Sequence, residues 1–324
     1  MPPRPQWREV QKQNFTCINR LTDYLELDTT LRNQLIVNKQ FILNLPLRLA
    51  QKIEKNRIDD PILRQFVPLQ EEREKKEGFS VDPVKEGKCR PTPHLLHKYQ
   101  SRALLLCTSA CVMNCRFCFR RHFPHAQKKE GFDQELQYLE QNPSIKEIIL
   151  SGGDPLSLSN SALEDLISKL EQIPHLRRLR FHTRFPVGIP ERIDADFLDL
   201  LQKSSLQIWF TIHCNHPREL DKDVVDALQK IQRLSIPILC QTVLLKGVND
   251  DVETLKELCE RLVDQGFLPY YLHQLDPVEG AAHFAVPLER GKQLMRELST
   301  LLSGYALPKY VQEIGGQPGK TILC

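Results

Sequence analysis

The stretch that decides the reading is Cys107-Thr-Ser-Ala-Cys111-Val-Met-Asn-Cys115-Arg-Phe-Cys118-Phe-Arg-Arg121. Within it Cys111, Cys115 and Cys118 stand at C-x3-C-x2-C spacing, directly after the apolar run 103–107. Three thiolates from one tight loop can converge on a single metal cluster, and three ligands on a four-iron cluster leave one iron open to chelate a small molecule. Cys107 offers a fourth thiol, but inside an apolar run a buried strand cysteine is the plainer reading. The alternative is a zinc site completed by His122 or His125. Zinc sites more often pair two C-x2-C knuckles or add a His pair, and no second knuckle exists here.

Outward from this loop, short apolar runs alternate with helix-period segments. Strands are expected at 103–107, 147–150, 179–182, 207–212, 238–244 and 270–275. Between them apolar residues recur at helical spacing, as in Leu163, Leu166, Ile167 and Leu170, or Leu255, Leu258 and Leu262. Six strands separated by helices imply parallel βαβ units, in either a doubly wound sheet or a partial (β/α) barrel. In both, chemistry belongs at the C-terminal ends of the strands, and the polar and glycine-rich stretches fall there. Residues 1–97 read as a helical N-terminal region with a solvated connector, 98–304 as the core, and 305–324 as a C-terminal tail.

The whole chain has 324 residues, 10 cysteines and a formal charge of +3, with 41% hydrophobic and 26% charged residues. That balance is ordinary for a globular protein and excludes disordered, collagen-like and coiled-coil classes. The segment 71–76 is charged, but its signs are mixed and no aromatics interleave it, so an exposed helix face is expected and no nucleic-acid partner. No apolar run is long enough to span a bilayer and the N-terminus lacks a signal-peptide core. A reducing cytoplasm follows, where clustered thiols serve metals or redox chemistry more often than bridges.

On these residues the chain resembles the radical S-adenosylmethionine (SAM) superfamily, whose partial (β/α)6 TIM-like barrel holds a [4Fe-4S] cluster with SAM on the open iron. Ser151-Gly152-Gly153-Asp154-Pro155 is similar to the superfamily's glycine-rich motif beside the SAM methionine moiety, where glycine permits close backbone approach. Without the family it is a plain turn signal.

A narrower match covers about residues 97–320. Cys115-Arg-Phe-Cys-Phe-Arg-Arg-His-Phe-Pro124, Gln241-Thr-Val-Leu-Leu-Lys-Gly-Val-Asn-Asp250, Tyr270-Tyr-Leu-His-Gln-Leu-Asp-Pro-Val-Glu-Gly-Ala-Ala-His-Phe284 and Glu313-Ile-Gly-Gly-Gln-Pro-Gly-Lys320 resemble the lysine 2,3-aminomutases. The short EpmB branch, which supplies (R)-β-lysine for modifying elongation factor P, is the nearer likeness. The resemblance adds pyridoxal 5′-phosphate (PLP), carried by Lys320. PLP needs a lysine on a segment able to yield to substrate, and Gly315, Gly316 and Gly319 precede Lys320; read alone, it is a solvated tail lysine.

The match further implies Arg102 and then Lys98 for the PLP phosphate, Tyr99 along its ring, and His213 and Gln241 at SAM. Substrate lysine is charged at both ends and needs partners at both. Arg120 matches the carboxylate ligand and Asp276 an ε-ammonium acceptor. Glu313 stands where the family has a second aspartate, one methylene longer. Longer catabolic members continue past the PLP lysine with cysteines for an intersubunit zinc site, whereas this chain ends at Cys324, so no such site and no tetramer of that kind is expected; a homodimer stays open. The implied activity is an isomerase that moves the α-amino group of lysine to the β carbon, with a flavodoxin- or ferredoxin-type reductant and a pathway link to the elongation factor P ligase. A 2,3-aminomutase for another amino acid such as glutamate, and a non-catalytic iron-sulfur or zinc module, are the alternatives.

Overall fold

A computed structural model of the chain describes residues 7–123, 131–317 and 319–324. Pro124, His125 and Pro318 lie outside the described residues. Nine strands form one sheet in chain order: β1 (Leu95–Tyr99), β2 (Arg102–Thr108), β3 (Glu147–Gly152), β4 (Arg178–Thr183), β5 (Gln207–His213), β6 (Ile238–Val243), β7 (Leu268–His273), β8 (Lys309–Gln312) and β9 (Thr321–Ile322). From β2 to β8 every neighbouring pair is parallel. At the two edges β1 runs antiparallel to β2 and β9 to β8. Helices α1 (Asp133–Glu140), α2 (Asn160–Glu171), α3 (Ala195–Lys203), α4 (Lys222–Gln232), α5 (Val252–Asp264) and α6 (Leu288–Leu301) follow β2 to β7 in turn. The result is the expected partial (β/α)6 barrel.

The local causes are readable. Leu150, Phe181, Phe210 and Ile238 sit in register on four successive strands and are buried in the core that the sheet shares with its helices. Helices start at side-chain caps: Ser159 accepts from Ala162 N, Asp194 from Phe197 N, Asp221 from Val224 N and Asp251 from Thr254 N, each supplying an acceptor to an orphan backbone donor.

Three features differ from expectation. The C-terminal tail 305–324 holds two strands not foreseen: β8 extends the parallel sheet beside β7 and β9 folds back on β8. Residues 97–99, expected ahead of the first strand, belong to β1. The charged segment 71–76 is not wholly solvated: Glu72 is buried between Arg116, at 2.6 Å, and Arg121, at 2.7 Å. Two cations of the cysteine loop need an anion there, and one partner 44 residues distant leaves no trace in local periodicity.

The N-terminal region shares the barrel's core, its Leu21, Leu45, Leu49, Leu63 and Phe66 packing in one cluster with Val112, Met113 and Phe185. It also bonds the cysteine loop's backbone. Asn14 Nδ2 donates to the Val112 carbonyl at 2.8 Å and Asn44 Nδ2 to that of Cys111 at 3.1 Å. Arg116 N donates to the Gln65 carbonyl at 2.8 Å. Among the described residues no helix is long and apolar enough to cross a membrane.

Candidate active site

The residues assigned from the sequence to the cluster, SAM, PLP and substrate all line one cavity of about 330 Å³, whereas Cys107 and His122 do not. The strands explain why. Cys111, Cys115, Cys118 and Arg120 follow β2; Ser151, Gly152, Gly153 and Asp154 end or follow β3; His213 ends β5; Gln241 lies on β6; Asp276 follows β7; Glu313 follows β8. These are the C-terminal ends of parallel strands, where loops can converge without interrupting the ladder.

Burial pushes the three thiols up, Cys118 to about 11, and at Cys111 and Cys118 neighbouring thiols add to it. Three thiolates together therefore need the positive charge of bound metal. The donor set, three sulfurs opening on a shared cavity, suits a multi-iron cluster. Among the described residues no three His, Cys, Asp or Glu side chains close in as around a single ion. His122 instead turns its Nε2 to the Glu279 carbonyl at 3.1 Å.

The glycine loop also lies tight against the protein's own backbone. A Cβ on Gly152, at φ +115°, would stand 2.6 Å from the Thr108 carbonyl oxygen, and one on Gly153 would stand 2.8 Å from the Ala110 carbonyl carbon. The close approach that demands glycine is thus to the backbone leading into the cysteine loop. Asp154 is spent on the same corner, accepting from Thr183 Oγ1 at 2.7 Å and from the backbone of Leu156, Arg184 and Phe185 at 2.8–3.0 Å.

At the other end the side chains pair with one another. Glu313 accepts from Lys98, from Tyr99 at 2.9 Å and from Lys320 at 2.8 Å; despite burial, these cations and the phenol hold its carboxyl below the usual range. Lys320 Nζ lies 5.9 Å from the Tyr271 ring centre. Arg102 stacks on Tyr99 at 3.8 Å, and among the described residues it has no carboxylate partner, unlike Lys98, Arg120, Arg180, Arg184 and Lys320 in the same cavity. A guanidinium free of any carboxylate among the described residues, beside Tyr99, fits a phosphate. Asp276 is raised to about 7 by burial, which Lys320 only partly offsets.

Several residues of the site were not foreseen. Glu86, in a 3-10 turn at Glu86–Cys89, holds Arg120 with two oxygens at 2.6 and 2.8 Å. Arg184, His182 and His273 also line the cavity. For those three, position at or just past a strand end was the available signal; for Glu86 there was none.

The pattern of the Radical SAM superfamily matches residues 105–259. The L-lysine 2,3-aminomutase of Escherichia coli (strain K12) is 46% identical over 88% of this chain and 84% of its own length. That of Haemophilus influenzae is 41% identical over 100% of this chain and 99% of its own. The enzyme of that name from Clostridium subterminale is 37% identical over 83% of this chain and 65% of its own.

Proposed function

From the premise that the chain belongs to the L-lysine 2,3-aminomutase family, within the radical SAM superfamily, we propose that it converts L-α-lysine to β-lysine in the cavity at the strand ends. The observation that carries this reading is that one cavity joins three free thiols after β2 to Lys320 beyond β8, with Arg120 and Asp276 on its wall. When bound, a [4Fe-4S] cluster with SAM supplies hydrogen-atom abstraction, and PLP supplies a carbonyl through which an amine can migrate.

The protein's own groups do the placing. Cys111, Cys115 and Cys118 hold the cluster, with Gly152, Gly153, His213 and Gln241 along SAM. Arg102 takes the PLP phosphate, and Tyr99 lines its ring. Lys320 waits on Glu313 and gives way to the substrate amine; Gly316, at φ +89°, lies in the segment that must move. The substrate carboxylate competes with Glu86 for Arg120. The ε-ammonium restores the ionised form of Asp276, whose charge burial otherwise opposes. Held at both charged ends, lysine presents a fixed Cβ hydrogen, and such positioning accounts for much of a rate enhancement. Glutamate would set a third carboxylate beside Asp276 and Glu313, so the charges disfavour it.

The finer assignment, supported by the motif resemblance, is to the branch making (R)-β-lysine in the cytoplasm for the elongation factor P ligase, with a flavodoxin- or ferredoxin-type reductant and a homodimeric assembly. Anaerobically reconstituted protein given SAM, PLP, reductant and α-lysine should yield β-lysine, its identity read by NMR and its hand by chiral chromatography. Protein that holds iron, sulfide and PLP but leaves lysine unchanged would overturn the reading.

A further inference from the structure

Arg184, just past β4, donates from Nη1 to Cys115 Sγ at 2.9 Å. Its guanidinium is buried and lies 4.6 Å from the Phe66 ring centre and 5.4 Å from that of Phe117, between the N-terminal region and the cysteine loop. Nη2 donates to Glu219 at 2.7 Å and to Gln65 at 2.6 Å. Glu219 is fully buried and also accepts from Gln65 and from the backbone of Asn215 and His216 at 3.0–3.1 Å. So a buried cation touches one thiol of the cysteine loop, and a buried anion held by four donors balances it.

We infer that Arg184 and Glu219 form a redox-tuning pair for the cluster held by Cys111, Cys115 and Cys118, with Arg184 raising and Glu219 lowering its reduction potential; this rests on the cluster reading above. The physics is direct. Reduction adds an electron to the iron-thiolate unit, and an N–H donor carrying positive charge at a ligand sulfur favours the more negative state. A carboxylate behind that donor draws off part of its field, in a buried setting where charges are weakly screened. The Phe66 and Phe117 rings and Gln65 fix the guanidinium, as groups behind metal ligands commonly do. Arg184 is thus a positioning and tuning residue, acting on substrate only through the cluster.

The test is a potentiometric titration of reconstituted holoprotein with dithionite and mediators, followed by the electron paramagnetic resonance (EPR) of the reduced cluster, alongside equilibrium dialysis of SAM. Arg184→Gln should lower the midpoint, Glu219→Gln should raise it, and Arg184→Lys should lie nearer the parent than Arg184→Gln. Opposite shifts with cluster content preserved support the pair. If Arg184→Gln fails to fold, Glu219→Gln and Arg184→Lys still decide by their directions. Midpoints that stay put, or move the same way in both Gln variants, overturn the inference while leaving the cluster reading intact. So does a loss of SAM binding with the midpoint unmoved, which would make Arg184 a SAM ligand instead. Parent protein with no cluster EPR overturns the cluster reading itself.

Discussion

The two ends of the cavity are built on different terms. At the cysteine end the loop itself is closed by backbone: Asp154 is consumed by one corner of the chain, the cysteine loop hangs from Asn14, Asn44 and Gln65, and two glycines let backbones touch, while the side-chain pairs Arg184–Glu219 and Arg116–Glu72 are buried behind it. At the lysine end, side chains satisfy one another, with Glu313 shared among Lys98, Tyr99 and Lys320, and Arg120 closed by Glu86. Backbone-held groups cannot trade partners without unfolding something, whereas paired side chains can exchange one charge for another of like sign. The first end suits a resident group that stays through every turnover, and the second a substrate that comes and goes.

That contrast is open to breakage. The largest effect is expected from Cys118→Ser, which should abolish product and reduce bound iron and sulfide while leaving PLP uptake and the circular dichroism spectrum near those of the parent. Next, Lys320→Ala should cut turnover by orders of magnitude, because the amine that carries PLP is gone. It should retain the cluster EPR, and borohydride should no longer fix PLP to the protein. Loss of the cluster in Lys320→Ala would mean that the two ends are one unit.

Glu72→Ala leaves Arg116 and Arg121 buried without their anion. It should cost about 3–5 kcal/mol of stability in urea unfolding, with iron lost at lower denaturant than in the parent. The smallest effect concerns pH. Asp276 titrates near 7 while facing Lys320, Lys98, Glu313 and Glu86, and lysine binds its ionised form. Below pH 7 the KM for lysine should rise by up to about tenfold per unit, and Asp276→Asn should remove that slope. The sign for stability is opposite. A folded-state value above the ordinary aspartate value means that this group costs nothing below about pH 4 and progressively more as pH rises to 7. Asp276→Asn should therefore unfold at a higher temperature than the parent at pH 8.

Legibility divides along a related line. The six central strands and their helices were readable because short apolar runs alternate with apolar residues at helical spacing, and the cysteine loop because its spacing is local. Glu86 and Arg184 were not readable as partners of Arg120 and Cys115, since 34 and 69 residues separate them in the chain. β8 and β9 escaped because strands of four and two residues carry too little pattern. The glycines were recognised for backbone closeness toward SAM, and the structure adds a second demand for it from the backbone leading into the cysteine loop.

The bond from Asn14 to Val112 closes a loop of 98 residues. Contacts of that separation form late, because the chain entropy they remove is recovered only when much else is in place. During synthesis the N-terminal region emerges long before the loop it will grip, so it must wait for the barrel's first strands. The cysteine loop then acquires its shape only as the global fold completes. Cluster content in a variant therefore becomes a reading of whole-chain folding as much as of the three thiols.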